Sequence, residues 1–236
     1  MRDIIDFHSH VLPGIDDGSK DTNMSLRMLK ESAEQGIKLM VATPHFYASK
    51  NTPDKFLKNR QAAYDSLKDQ LTDELPDIRL GAEVAHFCGM GRADDIGSFA
   101  IEDTNLILVE MPFRPWGKSD IKELELLLER DYMPVMAHIE RFIQFQKDRK
   151  LFDRLLDMHV YIQVNSEALI DWRMRFKVLK FFKGGHVDLL GSDCHNVSTR
   201  PQNLKKGRDI IEKKLGAEYL DKIDRLSEWL LAPEEE

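Results

Sequence analysis

Ile4-Ile5-Asp6-Phe7-His8-Ser9-His10 reads as a β-strand that ends in two histidines. Isoleucine and phenylalanine suit a pleated strand, and side chains two positions apart in an extended segment share a face. Both imidazoles can therefore reach one point beyond the strand's C-terminal end. The pattern recurs along the chain. Short runs rich in Val, Ile, Leu or Met occupy residues 4–8, 38–43, 78–83, 106–110, 134–138, 161–165 and 187–192.

Helical patterns separate most of these runs. The first is expected to begin near Asp21 or Thr22 and to stop at Gly36, a residue suited to a helix C-terminus. The second has Thr52 as its cap and Pro53 at the first helical position. It places Phe56, Tyr64, Leu67 and Leu71 on one face. Later helices are expected near Ser119, Lys147, Arg173, Gln202 and Ala217. The connection over residues 84–105, with Gly89, Gly91 and Gly97, has no clear pattern. The tail from Pro233 to Glu236 reads as disordered.

Seven strands alternating with helices imply parallel pairing in an α/β fold. The expectation is a closed, seven-stranded (β/α)7 barrel of the TIM-barrel kind, with a doubly wound open sheet as the alternative. Where the reactive residues fall favours the barrel. Beyond the first strand, His45 follows the second in Thr43-Pro44-His45. Glu83, Glu110 and His138 end the third, fourth and fifth, and Asp193 and His195 follow the seventh. In a βα barrel these ends converge on one mouth. Asp16 or Asp17, in the turn Pro13-Gly14-Ile15-Asp16-Asp17-Gly18, can reach it from the first loop.

A lone histidine at a strand end is ordinarily a hydrogen-bonded structural residue, and a lone carboxylate there a helix cap or solvated charge. Here six of seven strand ends carry such groups, including five of the eight histidines. Packing them into one mouth without cations would be costly. A multinuclear site follows, and imidazole and carboxylate donors suit manganese, iron or zinc. Such ions lower the pKa of a bound water and clamp a phosphoryl group. Arg141, just past His138, and Arg200, just past His195, have the planar fork that binds phosphate oxygens.

Composition bounds the rest. The chain has 236 residues, 42% hydrophobic and 32% charged, and is read as one domain over residues 1–236. No apolar run approaches the roughly 18 residues of a membrane span, so no membrane insertion is expected. The N-terminus lacks a signal-like apolar segment, and two cysteines suit a reducing cytoplasm. A net charge of −7 argues against nucleic acid as a partner.

The strings Asp6-Phe7-His8-Ser9-His10, Asp16-Asp17-Gly18, Thr43-Pro44-His45, Gly81-Ala82-Glu83, Ala137-His138-Ile139-Glu140-Arg141, Ser192-Asp193-Cys194-His195 and Arg200-Pro201 occur in this order. Together they resemble the polymerase and histidinol phosphatase (PHP) superfamily, and within it the bacterial protein-tyrosine phosphatases of capsule and exopolysaccharide synthesis. The match runs over residues 3–215. The resemblance implies a distorted seven-stranded βα barrel with three divalent ions, usually manganese, with iron, zinc or magnesium as alternatives. It implies His8, His10, Glu83 and Asp193 around one ion. Glu83, Glu110 and His138 would hold a second, with Glu83 bridging, and Asp17, His45 and His195 a third. Arg141 and Arg200 would hold the phosphate. The implied substrate is a phosphotyrosine protein, the tyrosine-rich tail of a bacterial tyrosine kinase, and a homo-oligomer is left open. Two positions depart from the pattern: Phe142 stands where tyrosine is common, and Cys194 where methionine is familiar.

Three rivals compete. Cys194 to Arg200 satisfies the Cys-x5-Arg spacing of thiolate phosphatases, but the loop lacks their phosphate-cradling glycines. A small phosphomonoester such as histidinol phosphate would suit the same mouth. A non-catalytic, metal-stabilised interaction module is the third, against which a full donor set and two arginines argue. The loop from Met111 to Trp116 offers either ordinary packing or aromatic contacts to a tyrosyl ring. His86, His159 and His186 are expected to be structural or exposed.

Overall fold

A computed structural model describes residues 2–146 and 149–232. The expected starting point Lys147 and the tail from Pro233 lie outside the described residues. All strand pairs are parallel. One sheet has three strands in the order β1 (Ile4–Ser9), β2 (Ile37–Ala42), β4 (Asp77–Leu80). The other curls through six: β3 (His45–Phe46), β5 (Glu83–Ala85), β6 (Leu106–Glu110), β7 (Met133–Met136), β8 (Tyr161–Asn165) and β9 (Leu189–Gly191). Strands follow chain order, without the reversal that marks a doubly wound sheet.

The second expected strand is followed by a further short strand, and the third is broken in two. β2 stops before Pro44, which has no N–H to give a ladder, and the chain resumes as β3. β4 stops at Gly81-Ala82 and resumes as β5. Hydrogen bonds carry across both breaks, from Gly81 N to Ala42 O at 2.9 Å and from Glu83 N to Pro44 O at 3.1 Å. The short β3 and β5 were not legible as separate strands, because two or three residues have no periodicity to read. At the far side, a lone bridge links Ser9 to Cys194, and Asp193 N donates to His8 O at 2.8 Å.

The helices are α1 (Thr22–Glu34), α2 (Pro53–Lys68), α3 (Lys118–Leu128), α4 (Arg149–Leu156), α5 (Ser166–Ile170), α6 (Trp172–Lys183), α7 (Leu204–Leu215) and α8 (Ala217–Leu230). Asp21 caps α1 by accepting from Met24 N, and Thr52 caps α2 with Pro53 in its first turn. Gly36 leaves α1 at φ 82°, where a side chain would be strained. α5 was not foreseen; one and a half turns directly after a strand leave no amphipathic signature. Residues 84–105 contain the end of β5 and two single 3-10 turns, Met90–Arg92 and Ile96–Phe99.

The core separates two environments. Met28, Leu29, Phe46, Phe56, Leu67, Leu124 and Phe142 pack between sheet and helices, while Phe7, Val41, Leu108, Val135 and Leu189 form a smaller cluster. Each fully buried large side chain contributes roughly 1.5–3 kcal/mol. That packing fixes strand ends on which ionisable groups are buried as deeply as the core.

Candidate metal centre

Glu83 stands at the centre of the mouth. Its Oε2 lies 3.3 Å from His8 Nε2, 3.4 Å from His10 Nε2 and 2.8 Å from His45 Nδ1. Its Oε1 lies 2.7 Å from His138 Nε2, which is also 3.6 Å from Glu110 Oε1. Asp193 Oδ1 is 3.6 Å from His8 Nε2 and 3.4 Å from His10 Nε2. Asp17 Oδ1 is 3.5 Å from His45 Nε2 and 3.6 Å from His195 Nε2. The structure thus brings all nine expected donors together. They fall into overlapping groups: His8, His10, Asp193; His8, Glu83, His138; His45, Glu83, Glu110; and His10, Asp17, His45, His195.

The local backbone makes this convergence. Gly191 lets β9 approach β1, since a Cβ there would meet His8 Cβ and Gln163 Nε2 at 2.6 Å. His138 and Asp193 both adopt left-handed backbone, at φ 32° and 54°. Strain of that kind gathers at functional sites. The turn of residues 13–18 folds over His10 and separates its two aspartates. Asp16 is half-buried and accepts from His10 Nδ1 at 2.7 Å, Gly18 N at 2.9 Å and His45 N at 3.1 Å. It orients His10 from behind, while exposed Asp17 faces the other imidazoles.

β8, the strand whose end carries no His, Asp or Glu, supplies amides instead. Gln163 Oε1 accepts from His138 N at 2.7 Å and lies 3.3 Å from His8 Nδ1. Gln163 Nε2 donates to Asn165 Oδ1 at 2.8 Å, and Asn165 Nδ2 donates to Asp193 Oδ2 at 2.8 Å. A proton on His8 Nδ1 satisfies Gln163 and leaves the Nε2 lone pair toward the cluster. Deeper still, Asp6 accepts from Ser192 N, Ser192 Oγ and Gln202 Nε2 at 2.8, 2.6 and 2.8 Å. Sequence reasoning missed these groups. The signal for Gln163 and Asn165 was their i, i+2 spacing at the end of a strand.

The electrostatics fit a cation site. Burial pushes His138 and His195 down to about 4, so each keeps a free lone pair at neutral pH. Burial first, and the charge of Glu83 second, push Glu110 up to about 7. Burial opposes ionisation of Glu83 and Asp193, but the charge of His8 and hydrogen bonds from His10 outweigh it and hold both well below the carboxylate range. His45 Nδ1, Glu83 Oε2 and His195 Nε2 are buried with no aligned hydrogen bond, although the first two stand 2.8 Å apart. His8 Nε2 and His10 Nε2 lie 3.2 Å apart. Donors about 2.1 Å from a tetrahedral ion stand about 3.4 Å apart, which matches the distances of these two nitrogens from each other, from Glu83 Oε2 and from Asp193 Oδ1.

Arg141 Nη2 and Arg200 Nη2 both donate to Asp193 Oδ2, at 2.5 and 2.7 Å. The loop after β6 divides. Trp116 is buried and donates to Pro112 O, whereas Phe113 is 53% exposed and lies 6.5 Å from the His138 ring. Tyr47 lies 5.3 Å from the His45 ring, and burial followed by the charges of Glu110 and Glu83 pushes its hydroxyl up to about 12. Cys194 is fully buried, and burial pushes its thiol far up. It is neither accessible nor ionised, as nucleophilic attack requires. His86 contacts Asp120, and His159 and His186 are exposed, all outside the cluster.

Comparison with known proteins gives a consistent result. The family model for capsular polysaccharide synthesis, CpsB/CapC, matches residues 4–227. The tyrosine-protein phosphatase CpsB of Streptococcus pneumoniae is 28% identical over 224 residues, covering 91% of this chain and 92% of that protein. The tyrosine-protein phosphatase YwqE of Bacillus subtilis is 28% identical over 246 residues, covering 97% and 91%. A solved structure from a study of YwqE and CpsB, described there as unique metal-dependent tyrosine phosphatases, superposes with a TM-score of 0.85. It is 25% identical and covers 98% of this chain and 96% of its own.

Proposed function

The chain belongs to the CpsB/CapC family of capsular polysaccharide synthesis, and on that footing we propose that it is a metal-dependent protein-tyrosine phosphatase. The observation that carries the reading is the buried set of His8, His10, Glu83 and Asp193, in which the two imidazole nitrogens stand at ligand spacing from each other and from each carboxylate. On this reading His8, His10, Glu83 and Asp193 would hold one ion. Glu83, Glu110 and His138 would hold a second, and Asp17, His45 and His195 a third. We take manganese as the metal on the resemblance, with iron, zinc or magnesium able to use the same donors. When bound, the ions would lower the pKa of a water and offset charge on the phosphoryl oxygens.

The chain's own residues do the rest. Asp193 Oδ2 holds Arg141 and Arg200 side by side, and each guanidinium keeps further N–H groups for phosphate oxygens. Asp16 and Gln163 hold the outer nitrogens of His10 and His8, so neither ring turns as substrate enters. Phe113 offers an exposed ring face beside His138, and Tyr47 stays protonated at the rim. A tyrosyl leaving group has a pKa near 10, so it departs with less protonation than a seryl alkoxide needs.

The strand order supports a distorted (β/α)7 barrel: β2 with β3 and β4 with β5 count as one stave each, and the Ser9 to Cys194 bridge brings first and last together. We take the chain as one phosphatase domain. No described helix is long and apolar enough to cross a membrane, and the reading places the enzyme in the cytoplasm, acting on the tyrosine-rich tail of a tyrosine kinase. The test is hydrolysis of a phosphotyrosine peptide beside a phosphoserine peptide and histidinol phosphate, with manganese and with chelator. Preference for phosphotyrosine, lost on chelation and retained in Cys194→Ser, is expected. Preference for histidinol phosphate would overturn the substrate and leave the metal reading. A metal-replete protein inert toward every ester would favour a binding module.

A further inference from the structure

α6 carries Arg173, Arg175, Lys177, Lys180 and Lys183 and no acidic residue, in a chain of net charge −7. Its inner side buries Val178 and Phe182. Its outer side exposes Trp172, Arg173, Phe176, Lys177, Lys180 and Lys183, which recur at the spacing of one helical face. Trp172 is 75% and Phe176 79% exposed, one turn apart. Arg173 lies over the Trp172 ring at 5.6 Å. Lys177, Lys180 and Lys183 enter no ion pair among the described residues. Arg175 is different: it is turned inward, donating to Leu169 O and Ile170 O at 2.6 and 2.7 Å. Phe176, Lys177 and Lys180 also edge a cavity of about 650 Å³, across which stand Asp153 of the neighbouring α4 and Asp157 just past its end, so the basic face is bounded on that side by two carboxylates.

We infer that the outer face of α6 is a docking surface for an anionic lipid bilayer. Two features choose lipid over protein. Protein interface cores are depleted in lysine, whereas helices that lie on a membrane combine lysine and arginine with tryptophan and phenylalanine. The positive charge also complements an anionic headgroup layer, against the sign of the whole chain. Contact would be peripheral: the two aromatic side chains enter the headgroup boundary while Val178 and Phe182 stay in the protein core. The start of α6 lies near the metal centre. One cavity of about 160 Å³ is lined by Arg141 and Asn165 and also by Asp171 and Met174. Adsorption would hold the mouth beside the bilayer, a consequence that rests on the proposed function, while adsorption itself does not.

The test uses the full chain and co-sedimentation with vesicles of phosphatidylcholine alone and of phosphatidylcholine mixed with phosphatidylglycerol. Binding to the mixed vesicles alone, weakened by salt, is expected. Each neutralised cation near the surface lowers binding about fivefold. Lys177→Gln with Lys180→Gln should therefore lose about 25-fold by the same rule. Trp172→Ser with Phe176→Ser should also release the protein. Lys213→Gln with Lys214→Gln on α7, which removes the same net charge, should leave binding within about twofold if a local patch is responsible. All three variants should hydrolyse a soluble phosphotyrosine peptide at the wild-type rate, so failure of this inference is separable from failure of the phosphatase reading. Equal binding to both vesicle types, no binding at low salt, or equal losses in the α6 and α7 variants would overturn it. So would self-association, abolished by the α6 substitutions, in a protein that ignores vesicles.

Discussion

Arg79 and Glu83 are four residues apart, on β4 and β5, and face opposite ends of the sheet. Glu83 lies among four imidazoles within 3.4 Å and is almost wholly buried. Arg79 lines a cavity of about 700 Å³ at the N-terminal ends of the strands, with Asp3, Lys38, Asp77, Glu102 and Glu228. Both ends gather ionisable residues. At the base, Asp3, Lys38, Asp77 and Glu102 are exposed and water solvates them at little cost. At the mouth most of the groups, exposed Asp17 apart, are buried or partly buried within a few ångströms of one another, where charge must be compensated. Depth of burial and convergence, rather than a count of charges, separate a candidate site from ordinary surface.

The sharpest way to break that contrast is Glu83→Gln. The amide keeps the shape and removes the charge that four histidines share. Expected are hydrolysis at background, little metal after dialysis, and loss of the thermal stabilisation that added manganese gives the wild type. A variant that held its metal and its rate would end the reading of Glu83 as bridge. Arg141→Lys comes next. It retains charge but loses the planar fork, so kcat should fall about 10²-fold while metal content stays at the wild-type level. Gln163→Leu acts one step further out. It removes the acceptor behind His8 and His138 N, and metal affinity measured by chelator competition should fall about 10–100-fold. Unchanged affinity would show that packing alone orients His8.

Much of the mouth was legible because strands have period two and barrels collect their ends: His8 with His10 and Asp193 with His195 are written in adjacent alternate positions. The cap at Thr52 and the start of α1 near Asp21 were legible because short polar side chains before a helix have few other uses. What could not be read depends on contacts between distant strands. The breaks at Pro44 and Gly81 become visible only when hydrogen bonds are seen to continue across them. Spacing does not separate Asp16 from Asp17; the family resemblance points to Asp17, and the fold shows why, with Asp16 behind His10 and Asp17 facing His45 and His195. Gln163 and Asn165 were overlooked because amides do not titrate, although they tie His138 to Asp193.

A smaller effect should come from Glu140, which is buried beside the mouth with Oε2 unpartnered. Burial pushes its carboxyl from 4.5 up to about 8, and hydrogen bonding and Arg141 offset only part of that. The folded state therefore holds a proton that the unfolded chain releases near 4.5. Glu140 favours folding most at low pH, and that contribution is lost as pH rises through about 8. Glu140→Gln resembles the protonated acid and cannot ionise. In chelator-treated protein its Tm should gain on the wild type between pH 5 and 8, by about 2–4 °C for each kcal/mol. A gap that stayed constant across that range would place the proton elsewhere.

The least effect is expected at the base. Arg79→Met keeps most of the side-chain stem and removes a guanidinium whose Nη1 is buried without a partner. Removing an unsatisfied donor costs little or is favourable, so Tm should stay within about 2 °C of wild type, and metal content and phosphatase rate should not move. The prediction bears on the whole contrast, because Arg79 and Glu83 belong to adjoining strand segments. Between them Gly81 O is held by Arg60 Nη1 at 2.8 Å, and Gly81 N is held by Ala42 O at 2.9 Å. A turn fixed on both sides should absorb a change at Arg79 before it reaches the carboxylate. If Arg79→Met released metal, the two ends would be mechanically one, and Arg60→Lys, which loosens the turn directly, should then release still more.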